Sequence, residues 1–138
     1  MSALRFFVLL SLASLSALVL TAWAQNRSYH QDMRWQAPPK AVMRANPLAG
    51  NASGSAVAGG KKLFRRHCVE CHGADGTGIR HAANLQSADV QVQTDGILFW
   101  KVTNGNLDRG MPAFSGLPEL ERWQLVLYLR KLGGDGLR

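Results

Sequence analysis

Cys68-Val69-Glu70-Cys71-His72 constrains this chain more than any other run of residues. The chain holds only two cysteines, and both fall here with two residues between them and a histidine directly after the second. One helical turn presents both thiols on the same side, and the next side chain follows with an imidazole. That order suits covalent attachment of a porphyrin: the thiols add to two vinyl groups and the imidazole faces the iron, so C-x-x-C-H reads as a c-type haem attachment signature. Three other readings compete. A thioredoxin-like redox pair needs a preceding strand and a βαβ setting, whereas Lys61-Lys62-Leu63-Phe64-Arg65-Arg66-His67 reads as helix. A structural zinc site needs four ligands, and His30, His67 and His81 supply no second closely spaced pair. A disulfide across two residues is strained.

An iron held by one imidazole needs a second ligand if it is to carry electrons without binding substrate. Of Met1, Met33, Met43 and Met111, only Met111 follows the attachment motif. It stands in Arg109-Gly110-Met111-Pro112-Ala113-Phe114, where Gly110 permits a tight backbone and Pro112 stiffens the next position. Such a loop can hold a thioether at a fixed point. A methionine is otherwise an ordinary gap-filler in a core, and the motif upstream is what favours the ligand reading for Met111. His81, nine residues past His72, is the weaker candidate and is expected on the same side of the haem as His72.

The first residues read as an export signal, with Arg5 as a thin positive region and an apolar run from Phe6 through Leu20. Ala22-Trp23-Ala24 gives a small-x-small cleavage site. Residues 1–24 are therefore expected to be a signal peptide, and the protein periplasmic or otherwise extracytoplasmic. The alternative is an uncleaved leader anchoring the chain in the inner membrane, since the apolar run approaches the roughly 20 residues of a span. The formal charge is +7, and losing Arg5 alone takes it to +6, so the mature chain stays basic.

Residues 25–54 contain Trp35, Ala37-Pro38-Pro39, Asn46-Pro47 and a Gly/Ser patch. The prolines are expected to break helices, giving an extended arm that packs on its own domain through Tyr29 and Trp35. Met33 and Met43 read as ordinary contacts of this arm. Residues 55–138 form the remaining domain. Ser55 can cap a helix that runs into the attachment motif. Val57, Gly60 and Phe64 share one face of it, and Lys61, Lys62, Arg65 and Arg66 share the other. Glycine in mid-helix is costly unless something approaches closely, so another helix is expected to cross at Gly60. Thr94-Asp95-Gly96 opens a second helix that Asn104-Gly105 closes. Pro118 is expected at the first position of a third, with acidic residues at its start, Arg130 and Lys131 near its end, and Gly133-Gly134 stopping it. Leu120, Trp123, Leu125 to Leu129 and Leu132 make this last helix apolar over most of its circumference. Leu125 and Tyr128 are expected at the crossing with Gly60 and Phe64. No strand pattern and no internal repeat is present.

Residues 55–132 resemble a class I c-type cytochrome domain. The resemblance runs in order through Val57-x-x-Gly60-x-x-Leu63-Phe64, Cys68-Val69-Glu70-Cys71-His72-Gly73, Gly76-Thr77-Gly78, Asn84-Leu85, Gly110-Met111-Pro112 and Trp123-x-x-x-x-Tyr128-Leu129. It implies an all-α fold of three main helices and loops around one covalent haem c, with an extended N-terminal arm. It also implies thioether bonds at Cys68 and Cys71, axial ligation of the iron by His72 and Met111, and crossed first and last helices. The proline-bearing arm resembles that of small cytochromes accompanying membrane respiratory complexes. Relatives often place a proline where His81 stands, its carbonyl accepting from the proximal histidine. Here the carbonyl of His81 is expected to take that part. The side chain of His81 is expected to make the potential depend on pH.

The function these features imply is one-electron transfer in a respiratory chain, with no catalytic residues and no enzyme activity. The basic surface suits redox protein partners with an acidic docking face, and Arg109 beside the methionine loop is a candidate contact. A membrane-complex-bound subunit differs from a mobile carrier only in partner lifetime. A haem enzyme or gas-binding protein with a displaceable Met111 is the other class, and no distal His/Arg pair supports it. Export and the haem motif argue against a nucleic-acid partner despite the isoelectric point near 10.1.

Overall fold

Helical spacing of apolar residues underlies the long helices of this chain, with loops between them. In the computed structural model, which describes residues 35–51 and 54–134, the order is α1 (Pro39–Val42), α2 (Gly54–His67), α3 (Val69–His72), α4 (Ala88–Gln91), α5 (Asp95–Asn104) and α6 (Glu119–Leu132). Single 3₁₀ turns lie at Ala49–Asn51 and Leu107–Arg109. Among the described residues there is no strand, only an isolated antiparallel bridge between Asn106 and Met111. The all-α class read from the sequence holds, and α2, α5 and α6 are its three long helices. The chain divides into units 1–36 and 37–138, and the six helices of the described residues belong to the second. The expected leader, Tyr29 and Met33 lie outside the described residues.

Helices α2 and α6 cross at Gly60. A Cβ there would lie 2.0 Å from the carbonyl oxygen of Gln124 and 2.9 Å from Tyr128 Cβ, so only a hydrogen fits between the two backbones. Phe64, one turn on, is fully buried, with its ring 5.2 Å from that of Tyr128. Phe64, Val102, Leu125, Tyr128 and Leu129 form one buried cluster. Leu98, Phe99, Trp123 and Val126 form a second. Residues of α6 feed both, so it is buried on two sides, as its apolar circumference requires. Leu120 is the exception and lies exposed.

The helix ends follow local chemistry with small shifts. Thr94 Oγ1 accepts from Ile97 N–H and caps α5. Pro118 takes the N-cap of α6 rather than its first turn. α2 begins at Gly54, which places Ser55 inside it rather than at its cap.

The segment 37–51 is fastened to α5 and α6. Pro39 sits at the first position of α1, where its fixed φ suits a helix start. The prolines here therefore begin a turn of helix instead of excluding one. Thr94 Oγ1 donates to Val42 O at 2.9 Å, and Gly96 lies so close to Ala41 O that a Cβ would sit 1.9 Å from it. Arg44 pairs with Glu119 and holds its guanidinium 4.5 Å from the centre of Phe99, whose ring stacks on Trp123 at 4.0 Å. Asn46 Nδ2 donates to Trp123 O at 3.3 Å.

Candidate haem-binding site

The end of α2 and the single turn of α3 present the motif. Cys68 N–H donates to Phe64 O at 2.8 Å and continues the helical run; His72 N–H donates to Cys68 O at 2.9 Å and closes the next turn. Both thiols are unbonded to one another and lie on successive parts of one coil, Cys68 half-buried and Cys71 exposed. Burial pushes the Cys68 thiol up to about 11, with repulsion from Cys71 adding to it. It is therefore a neutral thiol at physiological pH until it is alkylated.

Gly73 ends the turn with φ of 78° and starts a loop that folds back under His72. Gly78 N–H donates to His72 O at 2.8 Å and Ile79 N–H to Cys71 O at 2.9 Å. Asp75 Oδ1 accepts from Thr77 N–H and Thr77 Oγ1, which holds its carboxyl below the usual carboxylate range. Gln86 Nε2 donates to Asp75 O at 2.7 Å, and Leu85 N–H to Gly76 O at 2.7 Å. At Gly78 a Cβ would sit 2.4 Å from Ala82 O, so the loop closes only on glycine.

This loop sets the histidine. His72 Nδ1 is 3.0 Å from Ala83 O. A donated Nδ1–H fixes the tautomer and leaves Nε2 as the ring nitrogen with a lone pair for a metal. The acceptor is not the His81 carbonyl expected from the sequence. Arg80 turns the chain in the left-handed region, φ 57°, and Ala82 N–H closes a turn onto Ile79 O. That turn brings the carbonyl two residues further along into place. The His81 side chain is exposed.

Met111 lies in the loop between α5 and α6. Gly105, φ 65°, ends α5 so close to Pro112 that a Cβ would meet its carbonyl at 2.5 Å. Asn106 and Met111 exchange two backbone hydrogen bonds of 2.8 and 2.9 Å. Gly110 takes the left-handed conformation, φ 80°, that this tight return requires. Met111 itself is half-buried.

These donors fit a haem c: two thiols on one coil for its vinyl groups, an imidazole with one nitrogen committed to backbone, and a thioether on a pinned loop. Residues 55–129, more than half of the chain, match the protein family described as cytochrome C oxidase, cbb3-type, subunit III. The chain belongs to that family. No curated protein and no solved structure matched it. Membership makes it a c-type cytochrome domain with covalently bound haem c, and its activity haem-based electron transfer. Its partners are redox proteins or a membrane complex.

Other placements bear on the remaining readings. Among the described residues no group of three or more His, Cys, Asp and Glu gathers to hold a metal. Among the same residues no helix is long and apolar enough to cross a membrane. Arg109 is exposed at the end of the 3₁₀ turn leading to Met111. The carbonyl of Ala83 was invisible to sequence reasoning, because any residue supplies the same oxygen. The Asp75–Thr77 turn had a signal in the D-x-T spacing between two glycines.

Proposed function

We propose that the protein is a one-electron carrier of a respiratory chain outside the cytoplasm. Cys68 and Cys71 hold the haem by thioether bonds, and His72 Nε2 and Met111 Sδ are its axial ligands. The haem iron supplies the one-electron couple. The chain's own residues keep both axial positions filled, so an electron enters and leaves with no substrate bound at the metal. Thioether ligation favours the reduced iron and suits a high-potential partner. The Nδ1 hydrogen bond to Ala83 O supports this reading most directly, because it commits one ring nitrogen to backbone and leaves Nε2 for a metal on the residue that follows the second thiol. Met111, pinned by Asn106, supports the second ligand.

The partner's docking face is acidic. Lys61, Lys62, Arg65 and Arg66 are all exposed on α2, which contains no acidic residue, and they lead directly to the attachment motif. Charge of one sign beside the electron's exit raises the encounter rate with an acidic surface and makes it salt-sensitive. Arg109 adds a further cation beside the methionine loop. The family's description as an oxidase subunit favours a second form of the same reading, a cytochrome held in a membrane complex. Copurification with such a complex through high salt separates that from a mobile carrier.

The test is a spectroscopic redox titration, followed by exposure of the reduced protein to carbon monoxide. A reversible one-electron couple and no carbon monoxide spectrum at once are expected. Immediate stoichiometric carbon monoxide binding would instead make it a ligand-binding haem protein.

A further inference from the structure

The loop that carries Met111 has few inward attachments. From Leu107 to Gly116 every residue is exposed except Met111 and Phe114. The backbone is tied at the Asn106–Met111 pair, by Phe114 N–H to Val102 O at 3.1 Å, and by Leu117 N–H to Phe114 O at 3.1 Å. Phe114 is the one aromatic foot of this stretch. It packs against the buried cluster of Phe64, Val102, Leu125, Tyr128 and Leu129. Its other neighbour is His67, whose ring centre lies 5.9 Å away with the planes at 62°, an edge-to-face contact. His67 is the last residue of α2 and immediately precedes Cys68. The residue beside the first thiol therefore touches the foot of the loop that presents the thioether.

We propose that His67, through Phe114, is a positioning residue for Met111: it joins the helix that attaches the haem to the loop that closes its far side. The inference rests on Met111 being an axial ligand. The loop has two states, Met111 bound or lifted, and only the bound state needs Phe114 seated. A contact that exists with Phe114 seated, and is lost when the loop lifts, favours the bound state. Edge-to-face aromatic pairs are strong enough to change such a ratio by roughly two- to tenfold. A partner that pressed on the exposed residues of this loop would act on the same equilibrium.

The experiment is an imidazole titration of the oxidised, haem-loaded protein, following loss of the weak charge-transfer band that reports Met–iron(III) ligation. Imidazole binds only where Met111 has lifted, so its apparent affinity scales with that population. His67→Ala is expected to bind imidazole roughly two- to tenfold more tightly than wild type. His67→Phe keeps the edge contact and is expected to match wild type. Val126→Ala, buried in the other cluster, lowers the unfolding temperature and leaves the imidazole affinity unchanged. In a Met111→Ala background, His67→Ala makes no difference. Unchanged affinity in His67→Ala would overturn the proposal. So would equal tightening in Val126→Ala, or an effect of His67 that persists without Met111. Absence of the band from the wild type would instead remove the ligand reading beneath it.

Discussion

Replacing Gly60 by alanine tests whether the α2–α6 crossing organises this domain. A Cβ would lie 2.0 Å from Gln124 O, 2.7 Å from Gln124 C and 2.9 Å from Tyr128 Cβ, while ordinary contact begins near 3.4 Å. Two of those atoms are backbone, so no rotamer change relieves the overlap, and the helices must part by more than an ångström. Phe64, Leu125 and Tyr128 then lose packing together. Each fully buried side chain of this kind contributes about 1.5–3 kcal/mol. A radial gap of this order forfeits between a quarter and a half of the contact energy, a combined cost of about 1–4 kcal/mol. Alanine returns about 1 kcal/mol of helix propensity. The net loss, taken at the middle of that range, is about 1.5 kcal/mol, which for a domain of this size lowers the unfolding temperature by about 6–12 °C. Gly59→Ala is the control. Its Cβ would meet only the end of the Gln124 side chain, which can swing aside, so that variant should keep or slightly gain stability. The assay is thermal unfolding of the haem-loaded proteins by circular dichroism. Equal melting temperatures for the two alanine variants, or Gly60→Ala at the wild-type value, would refute the reasoning.

Other perturbations probe the remaining contacts. Gln91→Ala removes the donor that bridges Leu85 O at 2.6 Å and Leu129 O at 3.0 Å, and should cost about 1–3 kcal/mol in denaturant unfolding, because Leu85 O loses this partner while Leu129 O keeps only the Gly133 N–H. Arg44→Ala frees the 37–51 segment from Phe99 and Glu119. Both ion-pair partners are substantially exposed, so the loss should stay near about 1 kcal/mol, measured the same way, and protease should nick the segment sooner. Asp75 has its folded pKa held below the ordinary 3.8, first by the Thr77 N–H and then by the Thr77 hydroxyl. Its contribution is therefore present above pH 3.8 and disappears as pH falls through the lower folded value. Asp75→Ala should melt below wild type at neutral pH, with the difference closing in acid.

How much of this was legible in the sequence depends on which interactions carry a residue signature. Gly60 announced the crossing because a glycine in a strong amphipathic helix is costly without a close neighbour, and the partners Leu125 and Tyr128 followed from the apolar stripe of α6. Gln124, whose backbone makes the closest approach, could not be named, since its side chain plays no part there. Cys68, Cys71 and His72 were readable from spacing, and Met111 from being the only methionine downstream. The loops that carry His72's partner and Met111 close through backbone groups, which leave no signature in the residue types. The His72 contact shows the limit. Relatives' use of a proline carbonyl pointed to His81, but a left-handed Arg80 shifts the turn and Ala83 accepts instead. The fastening of residues 37–51 was hidden for a related reason. Prolines read as breakers, while Arg44 and Asn46 reach Phe99 and Trp123 across a separation that no local pattern encodes.

The central claim is that His72 and Met111 together close both faces of a covalent haem. The most direct measurement is the optical spectrum of the purified protein, oxidised and reduced. A c-type spectrum with the Met–iron(III) charge-transfer band, abolished in Met111→Ala with the haem still covalently attached, is the predicted result. A c-type spectrum lacking that band in the wild-type protein would contradict it.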